Sequence, residues 1–204
     1  MARRTKAEAE ITRAAILDAA EVMFYQHGVS RTTLEKIAAA ANVTRGAIYW
    51  HFQNKADLFN AMLERVRLPF QYMLDAVDAN PSENPIQQVR DLLVNGLSLI
   101  ASSEQHRRVL TIVFHRCEYI DELNPAVTKQ DELDEQAIAV MERAFDRAAA
   151  ANLLRPGLCP RLAALSLHTY VGGIISQYLL KPQQCDLQQH AAPMIDAMLR
   201  GLTR

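Results

Sequence analysis

The sequence predicts an all-α protein of about nine helices, and three observations carry that expectation. Apolar residues recur at intervals of three and four along most of the chain. Strand-type alternation is rare, and β-branched residues do not gather between turn signals. Caps and breakers recur often, so the helices follow one another with short connections.

The elements can be justified in order. Ile16, Ala20, Met23 and Phe24 form one stripe, which Gly28 ends. Thr32 and Glu35, three apart, read as a capping box opening a helix with Leu34, Ile37, Ala38 and Ala41. Asn42-Val43 is a turn. Thr44 caps a short helix that carries Ile48 and Phe52 on one face. Asn54 caps a long helix through Leu58, Met62, Leu63 and Val66 to about Ala79, before Asn80-Pro81. The next helix starts at Pro85 or Ile86 and runs to Ile100. Ser102 and Gln105 read as a second capping box, for a helix reaching about Leu123 and broken by Asn124-Pro125. A long helix covers about 126–152. After the Arg155-Pro156-Gly157 loop, Pro160 suits a first helical position, and that helix runs to about Leu180 before Lys181-Pro182. The last spans Asp186 to about Leu202, where Pro193 predicts a kink or a later start.

Bulk properties narrow the function class. The 204 residues are half hydrophobic and 22% charged, as expected of an ordinary globular chain. No apolar run approaches the roughly 18 residues of a membrane span, and the polar start MARRTKAE does not resemble a secretory leader. The cytoplasm is the expected compartment. Cys117, Cys159 and Cys185 form no paired spacing and read as reduced thiols. The net charge of −1 is uneven: residues 1–55 carry eight basic and five acidic side chains, a net +3, and the rest carries −4. A basic head on an acidic body suits a polyanion at one end. The six histidines show no paired-ligand spacing, and no nucleophile elbow, phosphate loop or dinucleotide fingerprint occurs. No enzyme activity, cofactor or metal is expected.

The block from Thr32 to Lys55, TTLEKIAAAANVTRGAIYWHFQNK, places two short helices around a tight turn, with a longer helix directly after. That is the layout of a helix-turn-helix, whose second helix enters the major groove of DNA. Ile48 and Phe52 face inward, which leaves Arg45, Gly46, Tyr49, Trp50 and His51 outward. Thr44 brings a hydroxyl and orphan N–H groups toward phosphate. Arg45 suits a guanine edge. Gly46 costs about 1 kcal/mol in a helix relative to alanine, which close approach of a DNA backbone would explain. Tyr49, His51, Lys55 and Thr33 offer phosphate donors, and Trp50 an indole N–H with a flat apolar face. The alternative is that these large groups pack within the protein.

The block resembles the DNA-binding domain of the TetR family of one-component regulators, and RGAIYWHFQNK is close to its most recognisable stretch. MARRTK, TRGAIYWHF and the later HRCE (His115 to Glu118) are similar to the AcrR/TtgR-like branch, which represses multidrug efflux operons. The resemblance implies a helical homodimer on a palindromic operator. It also implies that Thr33, Thr44, Arg45, Gly46, Tyr49, Trp50, His51 and Lys55 occupy the usual DNA-contact positions. Arg3 and Arg4 would form an arm to DNA or a solvated tail. Residues 1–55 would be the DNA-binding domain, and 56–204 the regulatory and dimerisation domain.

Two surfaces are expected in the body. Tyr170, Ile174 and Tyr178, with Met194, Ile195, Met198 and Leu202, recur at helical spacing and suit a four-helix interface between two copies, or ordinary core. Residues 109–120 are apolar on two faces, with Val109, Ile112 and Ile120 opposite Leu110, Val113, Phe114 and Cys117, which suits a buried central helix. With Phe70, Met141, His168 and Val171 that second face would line a pocket for an apolar or aromatic effector, and Arg67, His168 and Gln177 would supply polarity. The alternatives are plain core, or a pocket for a fatty-acyl or other metabolite.

Overall fold

The computed structural model describes residues 6–117 and 124–204. Among them are nine α-helices: α1 (Lys6–His27), α2 (Leu34–Ala40), α3 (Arg45–His51), α4 (Lys55–Ala79), α5 (Pro85–Ser102), α6 (Glu104–His115), α7 (Asn124–Ala150), α8 (Pro160–Leu180) and α9 (Leu187–Leu202). A 3-10 turn at Pro182–Gln184 separates the last two. The only extended pairing among the described residues is a single bridge between Leu154 and Thr203. Arg3, Arg4, Glu118, Ile120 and the expected end of a helix near Leu123 lie outside the described residues.

The packing separates two compact units. One runs up to Arg67 and takes in the stretch Arg108–Lys129; the other comprises Leu68–Arg107 and Gln130–Arg204. The expected division at residue 55 marks the end of the helix-turn-helix, whereas the packing boundary falls inside α4. Helices α4, α6 and α7 each contribute to both units. Helix α4 also continues through Pro69, a proline the sequence reading passed over, which forfeits one backbone N–H in mid-helix.

The first unit is built on one apolar cluster. Ile16, Leu17, Ala20 and Phe24 of α1 meet Ile37 of α2, Ile48 of α3, Leu58, Phe59 and Met62 of α4, and Val109 and Ile112 of α6. Phe24 and Phe59 pack edge to face at 5.7 Å. Complete burial of a side chain such as Phe24 contributes about 1.5–3 kcal/mol. Gly28 ends α1 with φ +80°, and its N–H reaches the Phe24 carbonyl at 2.9 Å.

The capping box expected at Thr32 is displaced by one residue. Thr32 is fully buried, and its hydroxyl donates to the Gly28 carbonyl at 2.7 Å. Thr33 caps α2 instead, accepting from the Lys36 N–H. The same shift occurs at α6, where Ser103 and not Ser102 accepts the His106 N–H. Ser102 donates to the Leu99 carbonyl at the end of α5. In both places two hydroxyl residues stand in succession, and the inner one is taken by the preceding turn. Thr44 and Asn54 cap as expected, through the Ala47 and Asp57 N–H groups, whereas Asp186, expected to begin the last helix, caps α9 through the Gln188 N–H. Because Asp186 caps α9 at once, the helix is not delayed by Pro193.

The second unit centres on Leu97, Met141, Phe145, Leu167, Ala191 and Ile195. Helix α5 lies along α9, where Arg90 grips Asp196 with Nε–Oδ1 2.5 Å and Nη2–Oδ2 3.1 Å. His106 is buried, stands edge-on to Phe70 at 5.9 Å, and has Nδ1 at 2.8 Å from Ser103 Oγ. Its Nε2 meets no partner among the described residues. Burial disfavours the imidazolium and lowers the His106 pKa from 6.5. The unfolded chain therefore binds this proton more readily between the folded value and 6.5, so stability rises with pH across that window. Urea unfolding is expected to show a lower midpoint at about pH 5.5 than at about pH 7.5, with part of the difference abolished by His106→Gln. An unaltered pH slope in the variant would contradict this assignment.

Candidate nucleic-acid interface

Helix α3 has only seven residues, and its orientation is set from its inner face. Ile48 is fully buried and Phe52, its C-cap, is 2% exposed. Arg13 of α1 covers the Phe52 ring, with Cζ 5.4 Å from the centroid. At the other end Thr44 Oγ1 accepts the Ala47 N–H at 3.2 Å. The α2–α3 turn closes through Asn42 at φ 52°, with the Val43 N–H on the Ala38 carbonyl.

This anchoring turns a chemically distinct row outward. Thr33, Thr44, Arg45, Gly46, Tyr49 and Trp50 are exposed, and His51 and Lys55 are half-buried. Trp50 is 72% exposed, although its ring meets His51 edge-on at 4.5 Å. A Cβ on Gly46 would meet only Thr44 Oγ1, at 3.9 Å, so the protein's own packing does not demand glycine there. The eight residues expected at the DNA surface thus come together on or beside α3.

Arg45 is held on two sides. Its Nη2 lies 3.1 Å from Glu35 Oε1 on α2, and its guanidinium sits over the Tyr49 ring, with Cζ 5.5 Å from the centroid. Hydrogen bonding to Tyr49 and then the Glu35 charge raise its pKa above the ordinary arginine value. The Glu35 carboxyl is held below the usual glutamate range by a backbone hydrogen bond at its own residue, by Thr33, and by the Arg45 charge. Beside this pair is a cleft of about 400 Å³ lined by Thr32, Thr33, Leu34, Glu35, Tyr49, Gln53, Asn54 and Lys55. Hydroxyl, amide and ammonium donors predominate there, which is the chemistry of an anion site. Glu35, Gln53 and Asn54 were not singled out as surface residues by the sequence. Glu35 stands ten residues before Arg45, beyond any local helical spacing, so only the folded turn joins them.

The residues expected to line an effector pocket do not gather in one unit. Arg67, Leu110, Val113, Phe114 and Cys117 belong to the first, and Phe70, Met141, His168, Val171 and Gln177 to the second. Val113 and Cys117 pack partly against the first unit's core. Phe114 is 42% exposed, which corrects the expectation that α6 is buried nearly all round. Arg67 donates to the Lys129 carbonyl and lies near Glu64, so its charge is already engaged. Met141 is fully packed beside Phe145, and Gln177 is exposed. His168, Val171, Phe70 and Leu110 are half-buried.

The residues offered to a second subunit are also redistributed. Ile174, Ile195 and Leu202 are buried within their own chain. Tyr170 donates to the Met194 carbonyl at 3.3 Å, and Tyr178 and Met198 pack partly against the same core. The exposed stripe of α8 lies one position around the helix, at Leu162, Leu165, Thr169, Gly173 and Leu180.

Comparison with known proteins agrees with this organisation. Residues 16–62 match the family described as bacterial regulatory proteins, tetR family, and residues 84–203 match the MAATS-type transcriptional repressor, C-terminal region. The HTH-type transcriptional regulator AcrR of Shigella flexneri is 35% identical over 199 residues, covering 98% of this chain and 93% of that protein. The crystal structure of NalD, the secondary repressor of the MexAB-OprM multidrug efflux pump in Pseudomonas aeruginosa, superposes with a TM-score of 0.88 at 40% identity, covering 98% of this chain and 99% of that one. A complex of SmeT with triclosan is 34% identical with a TM-score of 0.81, covering 95% and 92% of the two chains. With both regions matched and full-length relatives of this kind, the chain belongs to the TetR family of transcriptional regulators.

Proposed function

We propose that this chain is a dimeric repressor of a multidrug efflux operon, released from its operator by apolar or aromatic compounds. The observation that carries the DNA reading is the outward row on α3, where Arg45, Tyr49 and Trp50 present large, half-polar groups at the surface. Each subunit places α3 in a major groove, and two-fold pairing sets the two readers about one DNA turn apart. Arg45 reads a guanine through two N–H donors. Thr33, Thr44, Tyr49, His51 and Lys55 position the helix on phosphates, Gly46 lets the backbone approach, and Trp50 adds an apolar face and a donor. Residues 1–55 serve as the DNA-binding domain and 56–204 as the regulatory and dimerisation domain.

The relatives support the efflux reading. NalD represses an efflux pump, and SmeT, which holds triclosan in its complex, is likewise an efflux-pump repressor. The effector acts by binding the two DNA-binding states unequally. Candidate lining residues are Phe70, Leu110, Val113, Phe114, Cys117, Met141, His168 and Val171, with Arg67 and Gln177 as polar groups. The dimer forms through the exposed stripe of α8 and the neighbouring face of α9. At Gly173 an added Cβ would meet no atom of the same chain, so a bulky residue there tests the partner contact alone.

Three outcomes are expected. Arg45→Ala lowers affinity for a duplex selected from a random library by about 5- to 150-fold, equivalent to roughly 1–3 kcal/mol, while a shuffled duplex loses far less. Triclosan, added to the protein on the selected duplex in a mobility-shift titration, releases the DNA; retention of the complex with triclosan and a panel of aromatic drugs would sink the induction model. Gly173→Arg keeps the helical content and yields a monomer by light scattering, with weakened binding to the palindromic duplex. A wild-type monomer in that measurement would reject the dimer.

A further inference from the structure

The acidic member of the α2–α3 pair has a consequence for sequence discrimination. Glu35 is the one acid lining a cleft otherwise furnished with the Thr33 and Tyr49 hydroxyls, the Gln53 and Asn54 amides and the Lys55 ammonium. A carboxylate there opposes any approaching phosphate, whatever the base sequence. It is also ionised at neutral pH, because a backbone hydrogen bond, Thr33 and Arg45 all favour its charged form. A site selected only for tight DNA binding would not keep this charge.

Its geometry supplies a reason. Glu35 Oε1 forms an ion pair with Arg45, 3.1 Å from Nη2, and the Tyr49 ring lies against the guanidinium face. Arginine has five N–H donors in a rigid fork, more than one carboxylate can occupy, so donors remain for a guanine edge. Held in this way, Arg45 is biased toward this arrangement before DNA arrives. To reach a phosphate instead, the side chain must swing off Glu35 and leave that carboxylate facing the DNA backbone alone. The two partners are half or more exposed, 65% for Arg45 and 51% for Glu35, so the hold is reversible.

We infer that Glu35 is a specificity-setting positioning residue, which aims Arg45 at base edges and penalises its use as a sequence-independent phosphate clamp. The inference rests on the reading of Arg45 as the base-contacting residue. On cognate DNA the guanine edge repays the carboxylate's repulsion. On non-cognate DNA nothing does, so the ratio of the two affinities is larger than Arg45 alone would give.

The test is a double-mutant cycle on the full chain, read as the affinity ratio between the library-selected duplex and its shuffled counterpart. Glu35→Gln keeps the shape and removes the charge; Glu35→Ala removes both, and melting curves check that each variant is folded. Either variant is expected to tighten binding to the shuffled duplex by roughly three- to tenfold, with a smaller change on the selected one, so that the ratio falls. The base-preference profile should blur at the guanine that Arg45 reads. In an Arg45→Ala background, Glu35→Gln should move both duplexes alike and leave the ratio constant. If Glu35→Gln leaves the ratio intact while Arg45→Ala collapses it, the inference fails and Arg45 keeps its role. If Arg45→Ala leaves the ratio intact, the base-contact reading itself falls and the inference with it. If Glu35→Gln lowers the ratio equally with Arg45 absent, the effect does not pass through Arg45, and the inference is overturned.

Discussion

The reader helix cannot hold its own shape, and the DNA-binding end is arranged around that constraint. Seven residues make about two turns, far below the length at which an isolated helix persists in water. Helix α3 is kept helical and fixed in azimuth by Ile48 and Phe52, four residues apart and both sealed into the core. Burying a side chain like Ile48 contributes about 1.5–3 kcal/mol and a cap such as Thr44 about 1 kcal/mol, which together offset the ordering of only about two residues, so the helix depends on the surrounding core as well. Everything presented outward, from Arg45 to Trp50, inherits its position from those two inward side chains.

The support for that core comes from unexpected places. Val29 donates to the Arg116 carbonyl at 3.1 Å, so the end of α6 is stitched to the loop that leads into the helix-turn-helix. Val109 and Ile112 of the same helix are fully buried in the reader's own cluster. Buried Thr32 ties this loop again, through the Gly28 carbonyl. Helix α6 therefore belongs in part to the DNA-binding end, although it lies some seventy residues further along the chain. A change that displaced the end of α6 would act directly on the loop before α2.

Ion pairs serve different ends in different places. The exposed Arg45–Glu35 pair is not a stability device, since such pairs contribute little in water. Its value lies in pre-arranging a flexible side chain. The Arg90–Asp196 pair is different in kind: two contacts tie α5 to α9, helices that also share one apolar cluster. His106 adds a buried polar group whose imidazolium form is disfavoured by burial.

Sequence alone determined the helical class, most helix boundaries, the helix-turn-helix and the outward row on α3, because each rests on spacing within one or two turns of chain. Thr44 and Asn54 were legible as caps for the same reason. The tertiary structure decided what local spacing leaves open. Thr32 or Thr33, and Ser102 or Ser103, are equally good caps until the preceding turn claims one of them. Tyr170, Ile174 and Tyr178 fit an apolar stripe as well as their neighbours do, but which side of α8 faces its own chain depends on where α9 lies. Glu35 meets Arg45 only after the α2–α3 turn closes. The outward row of the reader was thus readable from short-range periodicity, whereas the body's exposed and buried faces were not, since packing between helices distant in sequence assigns them.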